Sequence, residues 1–87
     1  MKPATWISKP SSIVSDWEEL RGEDGFFFGH VYFRATPQGE WWGGNGDAVD
    51  EVLPATNVEE AKTAVITRAR IRLSELLTAL PAVEVRA

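Results

Sequence analysis

The sequence predicts a small two-layer α+β domain, in which an antiparallel sheet of three to four strands packs against one long C-terminal amphipathic helix. Two observations support this. Apolar residues recur at helical spacing over residues 56–80, and an aromatic, β-branched segment at residues 26–35 is followed by a turn and a second aromatic segment. A chain of 87 residues suits a single domain, residues 1–87, with one economical core.

The composition argues against several classes of function. The chain has no cysteine, which rules out disulfides, thiolate metal sites and cysteine nucleophiles and fits a cytoplasmic protein. The net charge of −4 disfavours a binder of nucleic-acid backbones. No stretch approaches the roughly 20 apolar residues of a membrane span, so we expect no membrane association.

The long helix is predicted to begin with a capping box. Thr56 followed by Glu59 has the required spacing, and the overlapping pair Asn57 and Glu60 serves if the helix starts one residue later. Pro81 ends the helix. The apolar positions share one arc of a helical wheel, wide enough to cover a sheet. They are Val58, Ala61, Val65, Ile66, Ala69, Leu73, Leu76, Leu77 and Leu80.

The sheet is predicted from a central hairpin. Residues 26–35 form the clearest strand, residues 36–39 the turn and residues 40–42 the partner strand. The glycine-rich residues 43–47 are expected to form a solvated loop. The further segments expected to pair are a third strand at residues 48–53, a short piece at residues 5–7 within an N-terminal arm or strand at residues 1–10, and a final piece at residues 83–85.

Residues 11–21 allow two interpretations. Ile13, Trp17 and Leu20 recur at helical spacing and favour a short N-terminal helix. The alternative is a strand with Ile13, Ser15 and Trp17 on one face. We favour the helix, because the segment Glu-Glu-Leu-Arg at residues 18–21 is poor strand material.

The inferred order of a helix, three strands and a helix is similar to the double-stranded-RNA-binding fold. That resemblance implies lysines at the start of the last helix, where they contact phosphates. Here the corresponding positions hold Glu59 and Glu60, with Lys62 alone, so the resemblance does not extend to this mode of RNA binding. The stretch from Thr56 to Ala61 is also similar to the strand-to-helix junction of HicB-type antitoxins, but a capped amphipathic helix is too general to identify a family.

The strand at residues 26–35 is predicted to have one apolar core face and one face of aromatic and polar side chains. The second face is either a platform that stacks bases or anchors a protein, or a second core layer beneath Trp6, Trp17 and the 11–21 segment. Its candidate partner-binding residues are Phe26, Phe28, His30, Tyr32 and Arg34, with Trp41 from the partner strand.

The helix side opposite the apolar arc carries small or weakly polar residues at the spacing of a helix-packing seam. It is interpreted either as an ordinary surface of low charge or as a dimer or partner interface centred on Ile71. The stripe comprises Ala64, Thr67, Arg68, Ile71, Ser74 and Thr78.

Acidic residues cluster near the start of the chain. They either dock a basic partner, in an interaction that salt would weaken, or are simply solvated charge. The candidate docking residues are Asp16, Glu18, Glu19, Glu23 and Asp24.

The sequence presents no catalytic constellation. His30 is the only histidine, and a catalytic base needs an orienting carboxylate and a nucleophile nearby. Residues 43–47 lack the Lys-Ser/Thr ending of a P-loop, and the acidic residues around them lack EF-hand spacing. We therefore expect no enzymatic activity, no cofactor and no metal.

These observations favour a non-catalytic protein-binding module, a small regulator or inhibitor that acts by occluding its partner. Small acidic proteins of this kind are common among phage and mobile-element counter-defence factors. The alternative is a nucleic-acid-binding domain that uses the aromatic hairpin face and the helix arginines, which the net charge disfavours. The expected partners are another protein and, through the Ile71 stripe, a second copy of the chain.

Overall fold

The computed structural model describes residues 2–35, 39–45 and 50–83. In these ranges five strands form one antiparallel meander in chain order, and a helix packs across one face of it. This confirms the predicted α+β class, with five strands where three to four were expected. The strands are β1 (Thr5–Ser8), β2 (Ser15–Arg21), β3 (Phe27–Arg34), β4 (Glu40–Gly44) and β5 (Glu51–Val52), and the helix is α1 (Val58–Ala79).

Some predicted elements fall outside the described residues. These are the turn at residues 36–38, residues 46–49 of the loop and third strand, and residues 84–85 of the final strand.

The prediction of a short N-terminal helix is wrong, because strand β2 occupies most of the 11–21 segment. β2 pairs antiparallel with β1 on one side and with β3 on the other. Two of its acidic side chains, Glu18 and Glu19, point to opposite sheet faces and lie beside cations: Glu18 is 2.9 Å from Lys62, and Glu19 is 2.9 Å from Arg21. The pairing with β1 and β3 and the long-range ion pair between Glu18 and Lys62 override the weak strand propensity of the segment.

Strand β4 extends through Gly43 and Gly44, so the first two residues of the predicted loop belong to the sheet. The missing side chain matters at Gly43, where a Cβ would lie 2.5 Å from the carbonyl oxygen of His30 and 3.0 Å from Cγ2 of Val65. At Gly29 of β3, a Cβ would lie 2.7 Å from Cγ1 of Val65. Glycines at these positions allow α1 to lie close against the sheet.

The core lies between α1 and the sheet face that it covers. Trp41 pairs with Phe33 across β3 and β4, and their rings are 5.1 Å apart. Because directly paired residues share a face, Trp41 faces the core and is not part of the predicted hairpin binding face. The buried core cluster consists of Val31, Trp41, Leu53, Ala61 and Val65.

The helix starts at the later of the two predicted positions. Asn57 is the N-cap, and its side chain accepts a hydrogen bond of 2.9 Å from the backbone N–H of Glu60. The Glu60 carboxylate in turn accepts from the hydroxyl and the backbone N–H of Thr56. These hydrogen bonds hold the pKa of Glu60 below its ordinary value.

Only the first half of α1 packs on the sheet. Ala61, Val65 and Ala69 are buried, whereas every residue from 70 to 80 is exposed. A helix of 22 residues is about 33 Å long, and the molecule measures 60 × 22 × 19 Å. The predicted apolar arc therefore covers the sheet only as far as Ala69, and the expectation that its leucines belong to the core is wrong.

Candidate functional site

The sheet face opposite α1 carries a layer of stacked rings. The indole of Trp17 lies 4.8 Å from the ring of His30 and 5.1 Å from that of Tyr32, with the planes within 10° of parallel. His30 and Tyr32 are each only 7% exposed. The face predicted as a binding platform is therefore covered by Trp17. Trp6, which was expected to cover it as well, packs against the core on the opposite face.

A β-bulge in β2 brings Trp17 to this face. Between two regular stretches of pairing with β3, Asp16 and Trp17 together oppose the single residue Tyr32. Asp16 has a φ of 53°, the left-handed conformation that aspartate tolerates better than most residues. The extra residue shifts the alternation of β2, so the side chains after it lie on the opposite sheet face from the one that regular alternation would give. Sequence periodicity could not reveal this shift.

Asp50 joins the polar ends of the ring layer. Its Oδ2 accepts a hydrogen bond of 2.9 Å from the Tyr32 hydroxyl, and its Oδ1 lies 3.0 Å from Nε2 of His30. The His30 contact has the distance of an ion pair but not the direction of a hydrogen bond. Neither ring nitrogen of His30 thus has a hydrogen-bond partner within the described ranges.

Tyr32 is the only tyrosine of the chain, so its ionisation can be measured directly. Burial, together with the hydrogen bond to Asp50 and the charge of Asp50, raises the pKa of Tyr32 from 10.0 to about 12. We expect an absorbance titration of the native protein to show tyrosinate forming near pH 12. Asp50→Asn should lower this pKa part of the way, because burial remains.

The same pKa difference predicts a loss of stability at high pH. Unfolded chains release the phenol proton near pH 10, whereas the native state retains it to about pH 12, so the free energy of unfolding falls as pH rises between these values. If tyrosinate formed in the native protein with a midpoint near pH 10, Tyr32 would be neither buried nor hydrogen-bonded as described.

The acidic residues predicted as a docking cluster do not share one surface. Glu18 faces α1, and Glu19 faces the ring layer, where it accepts hydrogen bonds from Arg21 and from the indole N–H of Trp17. Burial by itself would raise the pKa of Glu19, but the bonds from Arg21 and Trp17 outweigh it and hold the pKa below 4.5.

The other three predicted docking acids lie in the bulge and at the β2–β3 turn. Asp16 occupies the bulge, Glu23 accepts from the backbone N–H of Lys2 at 3.3 Å, and Asp24 accepts from the backbone N–H of Phe26 at 3.1 Å. The five carboxylates are thus dispersed over two sheet faces and a turn.

The predicted Ile71 stripe is largely exposed, but three of its polar members, Thr67, Arg68 and Thr78, are bonded within the molecule. The hydroxyls of Thr67 and Thr78 donate to backbone carbonyls one turn earlier, and Arg68 forms an ion pair with Glu51 of β5. Ile71 itself is 55% exposed. Bonded hydroxyls around one isoleucine offer little apolar area to a partner.

A larger apolar surface lies on the other side of the same helix, where it projects beyond the sheet. It continues the row of buried residues Ala61, Val65 and Ala69. We call it the leucine face: Leu73, Leu76, Leu77 and Leu80, which are 42%, 43%, 71% and 65% exposed. Contiguous exposed leucines of this kind mark interaction surfaces in folded proteins.

A groove joins the leucine face to the β2–β3 turn. Leu73 and Leu76 form one wall, and Phe26 and Phe28, whose rings are 4.8 Å apart, form the other. Phe28 is the extra residue of a second bulge in the β2–β3 pairing. The two phenylalanines predicted to share a face with His30 instead border the helix, which corrects their placement.

Fold and site together define the class of this protein: a small α+β domain built from an antiparallel meander and one projecting helix with an open leucine face. Comparison of the chain with protein-family models, with curated proteins and with solved structures gives no match. Over the described ranges, no group of three His, Asp or Glu residues could hold a metal ion. In that same part of the chain, no helix is long and apolar enough to span a membrane.

Proposed function

We propose that this chain is a non-catalytic protein-binding module, which docks an amphipathic helix of a protein partner on the leucine face and the adjoining groove. The observation that carries the proposal is the exposure of Leu73, Leu76, Leu77 and Leu80 on a half-helix that leaves the sheet. Exposed leucines are costly to keep in water, and full burial of a fully exposed leucine is favourable by about 1.5–3 kcal/mol, of which each of these gains the share that matches its exposure.

The spacing of the leucines supports a helix as the partner's docking element. They lie at i, i+3, i+4 and i+7, the pattern of a seam in which side chains of two helices interlock. The groove beside Phe26 extends the same surface toward the body of the domain. A module of this kind regulates or inhibits its partner by covering the partner's apolar helix face.

Nucleic-acid binding has less support from the described residues. Arg68 is paired with Glu51, the guanidinium of Arg34 lies 5.1 Å from the Trp42 ring, and the rings of His30 and Tyr32 are covered. These residues therefore do not form an aromatic platform with free arginines. Such a platform would stack bases and neutralise phosphates.

The proposal predicts that partner binding depends on the leucine face. We expect Leu77→Glu to abolish retention of the partner in affinity capture from the native host, because it sets a charge in the centre of the apolar contact. Ile71→Glu is the matched control, since it makes the same change at a similarly exposed position on the opposite side of the helix. Purified partner should then bind the control and not Leu77→Glu. Equal binding by the two variants would overturn the proposed docking surface.

A further inference from the structure

We infer that the helix docked on the leucine face is α1 of a second copy of this chain, so that two projecting half-helices pair antiparallel about a two-fold axis. This inference rests on the proposed function and names its partner. In the pair, Leu73 of each copy lies opposite Leu80 of the other, and Leu76 of each copy lies opposite Leu77 of the other, next to the axis.

The first argument is the self-complementarity of the leucine face. A two-fold interface brings the same patch from both copies together, so the patch must match itself after rotation. The four leucines are arranged symmetrically about the point midway between Leu76 and Leu77, since Leu73 and Leu80 lie equally far from it. An antiparallel pair centred at that point therefore buries every leucine against a leucine.

The second argument is charge, which selects the antiparallel direction. Arg70 and Arg72 lie at the N-terminal end of the leucine segment. Arg72 forms an ion pair with Glu75 of its own helix, 3.8 Å away, but a parallel pair would bring Arg70 of both copies to the same end of the contact, where like charges repel. In the antiparallel pair the arginines of the two copies lie at opposite ends of the contact.

The third argument is shape. Since α1 leaves the sheet after Ala69, two copies can overlap their projecting halves while the sheets lie at opposite ends of the assembly. Placing Leu80 of the second copy at Leu73 brings its chain to the groove at Phe26, which is 54% exposed. The groove then belongs to the same interface, and it adds aromatic area to the leucine contact.

Sedimentation equilibrium of the purified chain tests this inference. We expect the wild-type protein to have the mass of a dimer and the double variant Leu76→Glu with Leu77→Glu to have that of a monomer. Far-UV circular dichroism should show that the variant keeps its fold, because neither leucine belongs to the core. Ile71→Glu should remain dimeric.

Cysteine crosslinking tests the direction, and the natural chain has no cysteine to interfere. Leu77→Cys, near the axis, should form an intermolecular disulfide on mild oxidation, whereas Leu73→Cys should not, because its copy is about 10 Å further along the helix. Efficient crosslinking of Leu73→Cys alone would indicate a parallel pair and overturn the inference.

A wild-type protein that stays monomeric at every concentration would also overturn the inference. It would leave the proposed function standing if a different protein then bound in a manner that depends on Leu77. Loss of a wild-type dimer in the leucine variants therefore supports pairing of two copies. Loss of only the capture of another protein supports the proposed function alone.

Discussion

Replacing Gly43 with alanine is expected to lower the free energy of unfolding by about 2–3 kcal/mol, although it adds a single methyl group. That methyl group would lie 2.5 Å from the carbonyl oxygen of His30, a backbone atom held in the sheet by pairing between β3 and β4. It would also lie 3.0 Å from both Leu53 and Val65, which are core residues. To accommodate it, α1 or β4 must move, and the core loses close packing.

Urea unfolding followed by tryptophan fluorescence measures this effect. Gly25→Ala is the control, because a Cβ at Gly25 meets nothing within 4 Å, and its φ of +87° alone makes the substitution unfavourable by about 1 kcal/mol. If the two variants lost the same stability, the close approach of the helix to β4 would be in doubt.

Replacing Trp17 with alanine is expected to lower the free energy of unfolding by about 3 kcal/mol, at the lower end of the range for tryptophan because the residue is only half-buried. The substitution removes the ring that stacks on His30 and Tyr32 and the indole N–H that donates to Glu19. Water then reaches the ring layer, so the pKa of Tyr32 should fall from about 12 toward 10.0.

Trp17→Phe separates the stacking of the ring from the hydrogen bond. It keeps an aromatic ring beside His30 and Tyr32 but loses the bond to Glu19 and part of the indole's stacking area, so we expect a loss of about 1–2 kcal/mol, smaller than that of Trp17→Ala. Chemical denaturation gives the stabilities, and tyrosinate absorbance gives the pKa. A Trp17→Ala variant as stable as wild type would mean that Trp17 does not hold this layer together, and the face would again be a candidate platform.

The local pattern of the sequence predicted the elements whose signal is regular. The strand predicted over residues 26–35, observed at Phe27–Arg34, its partner at residues 40–42 and the capped helix follow from residue composition, alternation or helical periodicity. The piece at residues 5–7, left open as a strand or an arm, lies in β1. Residues 11–21 were misassigned because Ile13, Trp17 and Leu20 also match a helix. Ile13 is in fact 90% exposed, and Trp17 and Leu20 face opposite sides of a bulged strand.

The candidate site was harder to predict than the fold. The leucines satisfied every criterion for core residues, and their chemistry is the same whether a sheet or a second molecule covers them. A signal was present in the length of the helix: a periodic segment of about 33 Å exceeds the width of a small meander, whose strands lie about 4.8 Å apart. Comparing the two lengths would have placed Leu77 and Leu80 beyond the sheet.

By itself, the sequence determined the α+β class, the hairpin and a long capped helix whose start it left open between Thr56 and Asn57, because these depend on periodicity and capping within a few residues. Only the tertiary structure decided which faces stay open. Two bulges in the β2–β3 pairing turned Trp17 over the ring layer and Phe28 toward the helix, and the small sheet left the leucine face uncovered. Both outcomes depend on residues distant in sequence, since register and burial are properties of paired elements and not of a single segment.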